Sequence, residues 1–114
     1  PLGGVRRALE VAAAAGLPCV VSSALETSVG LSAQLALAAT LPELDYACGL
    51  GTVALFEGDV VAEPLLPVDG FLPVPPTPPV PDPDLLQRYR HPDPDRTAWW
   101  RERFDRVHAL LGHA

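Results

Sequence analysis

Between Gly4 and Gly49 the sequence alternates helix-like and strand-like patterns over short distances, and few architectures accept that alternation. Gly4–Gly16 sets Val5, Leu9 and Ala12 or Ala13 on one face and Arg6, Arg7 and Glu10 on others. A helix is expected there, with Gly16 as its stop. Leu17–Ser22 is a short continuous apolar run, the pattern of a strand buried on both faces. From Thr27 or Ser28 to Thr40 a second helix is expected, apolar nearly all round, with alanines that permit close approach to a sheet. Asp45–Gly49 follows as a second short strand. Helix, strand, helix, strand with short loops means right-handed βα units on a parallel sheet. Two strands cannot close a barrel, and a (β/α)8 barrel needs about 250 residues. An α/β chain of 114 residues would therefore carry only closing units of one.

Such folds hold their sites at the C-terminal ends of strands. Two turns occupy that place, Val20–Gly30 and Tyr46–Thr52. In the first, the hydroxyls of Ser22 and Ser23, loop N–H groups and the start of the Ser28 helix are expected to converge on one point. A helix N-terminus favours an anion such as a carboxylate. Glu26 either adds negative charge at that point or caps the helix by turning away. In the second, Gly49-Leu50-Gly51-Thr52 reads equally as a tight turn or as backbone open to a ligand. Gly3-Gly4 reads as a plain turn into the first helix.

No Gly-x-Ser-x-Gly elbow, GxGxxG or metal-ligand spacing is present. A serine nucleophile needs a histidine base, and His91, His108 and His113 fall where surface histidines are expected. All eight basic residues are arginines, so no lysine of this chain can act as an acid, a base or a Schiff-base amine. A net charge of −6, with arginines interleaved among acids, argues against nucleic acid and anionic membrane as partners. No apolar run approaches the roughly 18 residues of a membrane span, and no signal sequence opens the chain. A cytoplasmic protein is expected. The start at Pro1 instead of Met points to a piece of a longer chain.

If Ser22 lies level with Gly49, Cys19 sits two residues deeper than Cys48. Their Cα atoms would be about 8 Å apart, beyond disulfide reach, so buried free thiols are expected.

Thr52–Asp59 reads as a further short helix. In Glu63–Asp84 nine prolines forbid helix and favour an extended, semi-rigid strap. Leu85–Arg90 reads as one helical turn. A last helix, from about Asp95 to Leu111, sets Trp100, Phe104, Val107 and Leu111 on one face and ends at Gly112. Trp99-Trp100 reads as a docking anchor. The division expected is 1–62 barrel units, 63–84 strap and 85–114 helical tail.

Val21–Gly30 followed by Tyr46–Thr52 closely resembles the last third of the o-succinylbenzoate synthase family, within the enolase superfamily. Pro1–Val5 resembles the turn after that family's sixth barrel strand, and Asp59–Asp69 the stretch after its eighth. The likeness runs to about Asp84 and, more loosely, through the Trp99-Trp100 helix. It implies a capping domain over a modified (β/α)8 barrel, with Mg2+ and a lysine base. The reaction implied is dehydration of 2-succinyl-6-hydroxy-2,4-cyclohexadiene-1-carboxylate to o-succinylbenzoate in menaquinone biosynthesis. Ser22 matches the seventh-strand position that helps hold this dicarboxylate substrate, and Gly49 the eighth-strand glycine whose backbone does the same. Ser23, Leu50 and Gly51 are their neighbours. The family's lysines and metal-binding carboxylates would all lie before Pro1, the nearest lysine about three residues before it. No catalytic residue or metal ligand is thus expected in this chain, Asp45, Glu57 and Asp59 included, and alone it is expected to be inactive. Readings left open are an N-acylamino acid racemase or dipeptide epimerase of the same superfamily, and a non-catalytic interaction module.

Overall fold

A computed structural model describes residues 4–111. It contains α1 (Gly4–Ala14), α2 (Ser28–Ala39), a 3-10 turn (Thr52–Leu55), α3 (Pro83–Arg88) and α4 (Pro94–Leu111). The core forms along one side of α2. Ser28, Leu31, Ser32, Leu35 and Ala38 recur at helical spacing and are buried. Leu50 and Val53, on either side of Thr52, close onto that stripe, and Val21, Cys48, Leu65 and Leu72 pack around it. Small residues on α2 let these loops approach closely, which is why an alanine-rich helix can anchor so irregular a chain.

The two strands expected over Leu17–Ser22 and Asp45–Gly49 do not form. Among the described residues Leu17–Ser22 and Asp45–Gly49 meet at one parallel rung, Ser22 opposite Gly49. Gly49 N–H donates to Val21 O at 3.1 Å and Ser23 N–H to Gly49 O at 2.9 Å. The expected register is present, but the burial is not: Leu17 is 63% exposed and Val20 53%. A parallel strand is buried by strands on both sides and helices on both faces, and here each run has only the other. For the same reason α1 buries no residue, and its Leu9 is only half-buried. The radius of gyration is 16.4 Å, against about 13 Å for a compact chain of this length. The barrel is not seen in these residues.

After the core, the expected helix over Thr52–Asp59 shortens to the 3-10 turn, because the chain goes extended at Phe56 (ψ 150°). The Pro-rich segment is not extended throughout. At its start Val68 and Phe71 exchange both backbone hydrogen bonds at 2.9 Å. Between them Asp69 and Gly70 take φ of 51° and 82°. Positive φ at both central positions is the tight hairpin turn that Asp-Gly favours. Farther on, Asp82 N–H donates to Val60 O at 2.8 Å and ties the segment back to the domain.

Asp82 also caps α3, accepting from Asp84 N–H at 2.8 Å and Leu85 N–H at 3.1 Å, with Pro83 as first residue. The helix therefore starts two residues before the expected Leu85. Asp93 caps α4 in the same way, accepting from Asp95 N–H at 2.9 Å and Arg96 N–H at 3.3 Å. Along α4, Trp100, Phe104 and Val107 remain exposed, so the Trp pair anchors nothing among the described residues. Instead the two indoles meet edge to face at 4.8 Å, and Arg96 and Arg103 lie over them. The stop at Gly112, His113 and the Gly3 part of the first turn lie outside the described residues.

Candidate functional site

The Ser22–Gly49 rung brings the two serine- and glycine-bearing turns together. Both backbone groups of Gly49 are engaged there, the N–H with Val21 O and the carbonyl with Ser23 N–H. Ser23 Oγ adds a second hydrogen bond to that carbonyl at 3.1 Å and lies 2.7 Å from Thr52 Oγ1. Ser22 turns the other way. A Cβ on Gly49 would stand 2.9 Å from Ser22 Oγ, so the serine hydroxyl occupies the space that any larger residue would need. Ser22 is exposed and Ser23 half-buried.

The neighbours divide. Leu50 is 4% exposed and its side chain belongs to the core, while its N–H donates to Cys48 O at 3.0 Å. Gly51 is exposed and serves as the cap of the 3-10 turn. Of the five residues singled out from sequence, Ser22 presents a hydroxyl, Ser23 and Gly49 build the turn, and Leu50 and Gly51 connect it to the core.

The start of α2 does not offer an empty anion site at Ser28. Asp59 fills it. Its carboxylate accepts from Ser28 N–H, at 3.3 and 3.1 Å to its two oxygens, and from the Ser28 hydroxyl. Val60 N–H donates to it at 2.7 Å, and Leu65 N–H donates to Ser28 Oγ at 2.8 Å. Ser28 is fully buried and Asp59 is 5% exposed. The helix terminus attracts negative charge as expected, but the charge comes from the chain itself.

Glu26 is likewise resolved. Its carboxylate accepts from Ala24 N–H at 2.7 Å, closing a turn in which Leu25 has φ 67°. Burial works against its ionised form, but hydrogen bonds from Gln34 and from the N–H groups of Ala24 and Glu26 outweigh it. They hold the carboxyl below its ordinary value of 4.5. Glu26 thus stabilises the loop carrying Ser22 and faces its own backbone.

Among the described residues no cluster of three His, Cys, Asp or Glu side chains could hold a metal ion. The buried carboxylate, Asp59, is already surrounded by N–H and O–H donors. These residues do not fit Mg2+. Cys19 and Cys48 are free thiols, half-buried where full burial was expected. Each thiol lies on a run that pairs only with the other at one rung, which leaves both partly exposed, and Cys48 Sγ accepts from Val21 N–H at 3.5 Å. No helix among the described residues is long and apolar enough to cross a membrane. Sequence reading missed the Thr52 hydroxyl's contact with Ser23 and the capping role of Asp59. Both act across about thirty residues of chain, and no local spacing advertises them.

A family model described as enolase C-terminal domain-like matches residues 2–78, two thirds of the chain. The chain belongs to the enolase C-terminal domain-like family. Across 97% of its length this enolase-like chain is 56% identical to an o-succinylbenzoate synthase of Mycobacterium leprae. It is 54% identical over the same share to o-succinylbenzoate synthases of Mycobacterium tuberculosis and Mycolicibacterium smegmatis. The chain spans about a third of the length of these curated relatives, 32% of the first and 33% of the others. The aligned 111 residues run well past the family match, through the Pro-rich segment and into α4.

Proposed function

We propose that this chain is the closing portion of a cytoplasmic o-succinylbenzoate synthase, and that it supplies one wall of the substrate pocket. The full protein would dehydrate 2-succinyl-6-hydroxy-2,4-cyclohexadiene-1-carboxylate to o-succinylbenzoate in menaquinone biosynthesis. The observation that carries this reading is identity of 54–56% over 97% of the chain to proteins of that one name. The relatives do not favour the racemase, the epimerase or the interaction module.

In this reading Ser22 donates its hydroxyl to a carboxylate of the dianionic substrate. Gly49 leaves the hydroxyl room, while Ser23, Leu50 and Gly51 hold the turn in place. The proton α to the ring carboxylate is removed by a base outside this chain, which contains no lysine. Mg2+, held by carboxylates also outside it, would act as a Lewis acid on the charge that develops. The apolar groove of about 610 Å³ between α2 and the Asp45–Gly49 run, lined by Leu35, Tyr46, Leu50 and Phe71 among others, would be covered by the rest of the enzyme.

The test is Ser22→Ala in the full-length enzyme. Losing a hydrogen bond to a charged group should raise the substrate KM roughly tenfold, with Mg2+ affinity unchanged. A change confined to Mg2+ affinity would refute the role given to Ser22, and absence of dehydratase activity in the unaltered enzyme would refute the function. The isolated chain should bind no Mg2+ and form no o-succinylbenzoate; measurable turnover would overturn the placement of the machinery.

A further inference from the structure

Thr52 ends the Tyr46–Thr52 turn but was given no role there by sequence or resemblance, yet its hydroxyl is the outermost link of a short relay. Ser23 Oγ has one proton to give. At 3.1 Å from Gly49 O, an acceptor only, it must donate there. The 2.7 Å contact between Ser23 Oγ and Thr52 Oγ1 is then donated by Thr52. Protons therefore run from Thr52 to Ser23 to the Gly49 carbonyl, and Ser23 N–H reinforces the last link at 2.9 Å.

Thr52 is well placed to be the fixed end. Leu50 and Val53 flank it at 4% and 3% exposure, and both belong to the core against α2. Its hydroxyl is thereby referenced to the rigid part of the molecule, whereas the Ser22–Ser23 loop has only one rung of pairing. Ser22 sits between the two hydrogen bonds of that rung, Gly49 N–H to Val21 O and Ser23 N–H to Gly49 O. Its hydroxyl rests over Gly49, within 2.9 Å of where a Cβ would be. Fixing Ser23 against Gly49 thus fixes Ser22 as well.

We infer that Thr52 is a positioning residue: through Ser23 and Gly49 it holds the Ser22 hydroxyl at the angle in which it meets a substrate carboxylate. The inference rests on the proposed role of Ser22. A threonine with its hydroxyl on the partner turn needs no contact with substrate to set affinity, because a freely rotating turn would lose orientation on every binding event.

The test uses the full-length protein with Thr52→Val, which keeps the shape and removes the hydroxyl, and Thr52→Ser, which restores it. Amide hydrogen exchange reads the relay without any assumption about activity. The Ser23 and Gly49 amides should exchange roughly three- to tenfold faster in Thr52→Val and return to the parent rate in Thr52→Ser. Unchanged protection would overturn the relay. Kinetics read its consequence. Thr52→Val should raise KM roughly three- to tenfold and leave kcat within about twofold, while Thr52→Ser behaves as the parent. In a Ser22→Ala background Thr52→Val should have no further effect on KM. If it raises KM equally in both backgrounds, Thr52 does not act through Ser22 and the inference fails. If the parent enzyme makes no o-succinylbenzoate, the functional reading falls, and the exchange rates alone decide whether the relay exists.

Discussion

The two longest helices among the described residues solve the problem of stability in opposite ways. α2, 12 residues, buries Ser28, Leu31, Ser32, Leu35 and Ala38 and takes its cap from Asp59, 31 residues along the chain. α4, 18 residues, is exposed wherever its side chains are described, apart from half-buried Thr97. Its support is local. Asp93 caps it, arginines lie over its own tryptophans, and Glu102 and Arg106 pair across one turn at 4.0 Å. Exposed pairs of that kind contribute about 0.3–0.5 kcal/mol each. An apolar stripe on a helix therefore does not by itself say that the stripe is covered. What separates α2 from α4 is the set of distant residues that come to it.

The largest effect expected from that contrast is at Leu31, fully buried at the centre of the α2 stripe. Leu31→Ala should destabilise the chain by about 3 kcal/mol through lost burial and the cavity left behind. Urea unfolding followed by far-ultraviolet circular dichroism would measure it, and a loss under about 1 kcal/mol would mean that the core is not organised on α2.

Asp59→Ala comes next, at about 2 kcal/mol, because it strips acceptors from the Ser28 and Val60 N–H groups and from the Ser28 hydroxyl. If α2 depended on local capping as α4 does, this substitution would be nearly silent. Asp93→Ala supplies the control at the other helix, with about 1 kcal/mol expected for an ordinary cap.

A smaller, pH-dependent effect belongs to Glu26. Its carboxyl is held below 4.5 in the folded chain. A depressed folded value contributes stability above the unfolded pKa and loses it as pH falls through the folded one. Urea midpoints of the parent and of Glu26→Gln should thus converge as the pH is lowered from neutral through the depressed value of the folded carboxyl. Parallel curves throughout would remove Glu26 from the loop's support.

Much of the fold was legible in the chain, though unevenly, and the exposure of the α4 face was not. The alternation of helix and strand patterns already made the Leu17–Ser22 and Asp45–Gly49 segments parallel neighbours, and the rung forms at the level taken for Ser22 and Gly49. The positions of the α-helices follow from periodicity and stops, to within a residue or two, whereas the helix expected over Thr52–Asp59 ends four residues early as a 3-10 turn. The exposure of Leu17, Val20 and α1 was not legible, because an apolar run records the neighbours a strand is built for and not those around it. Asp59 and Thr52 were hidden for another reason. A cap is normally sought within a few residues of a helix, and a hydroxyl relay has no spacing rule. By contrast, the Asp69-Gly70 turn was readable as a local pair and was masked only by the weight of surrounding proline.

The smallest effect is expected at Phe104, 68% exposed on the apolar face of α4. Phe104→Ser removes little buried surface in this chain, so its urea midpoint should stay within the equivalent of about 0.5 kcal/mol of the parent. A loss near that of Leu31→Ala would show the face to be covered in solution and would erase the distinction between the two helices. Phe104 stacks on His108 at 5.9 Å, so the change also tests whether local aromatic contacts alone hold the second half of α4. If they do, the helical signal should fall slightly with the midpoint unchanged, because a self-supported helix frays on its own while a packed one melts with the core.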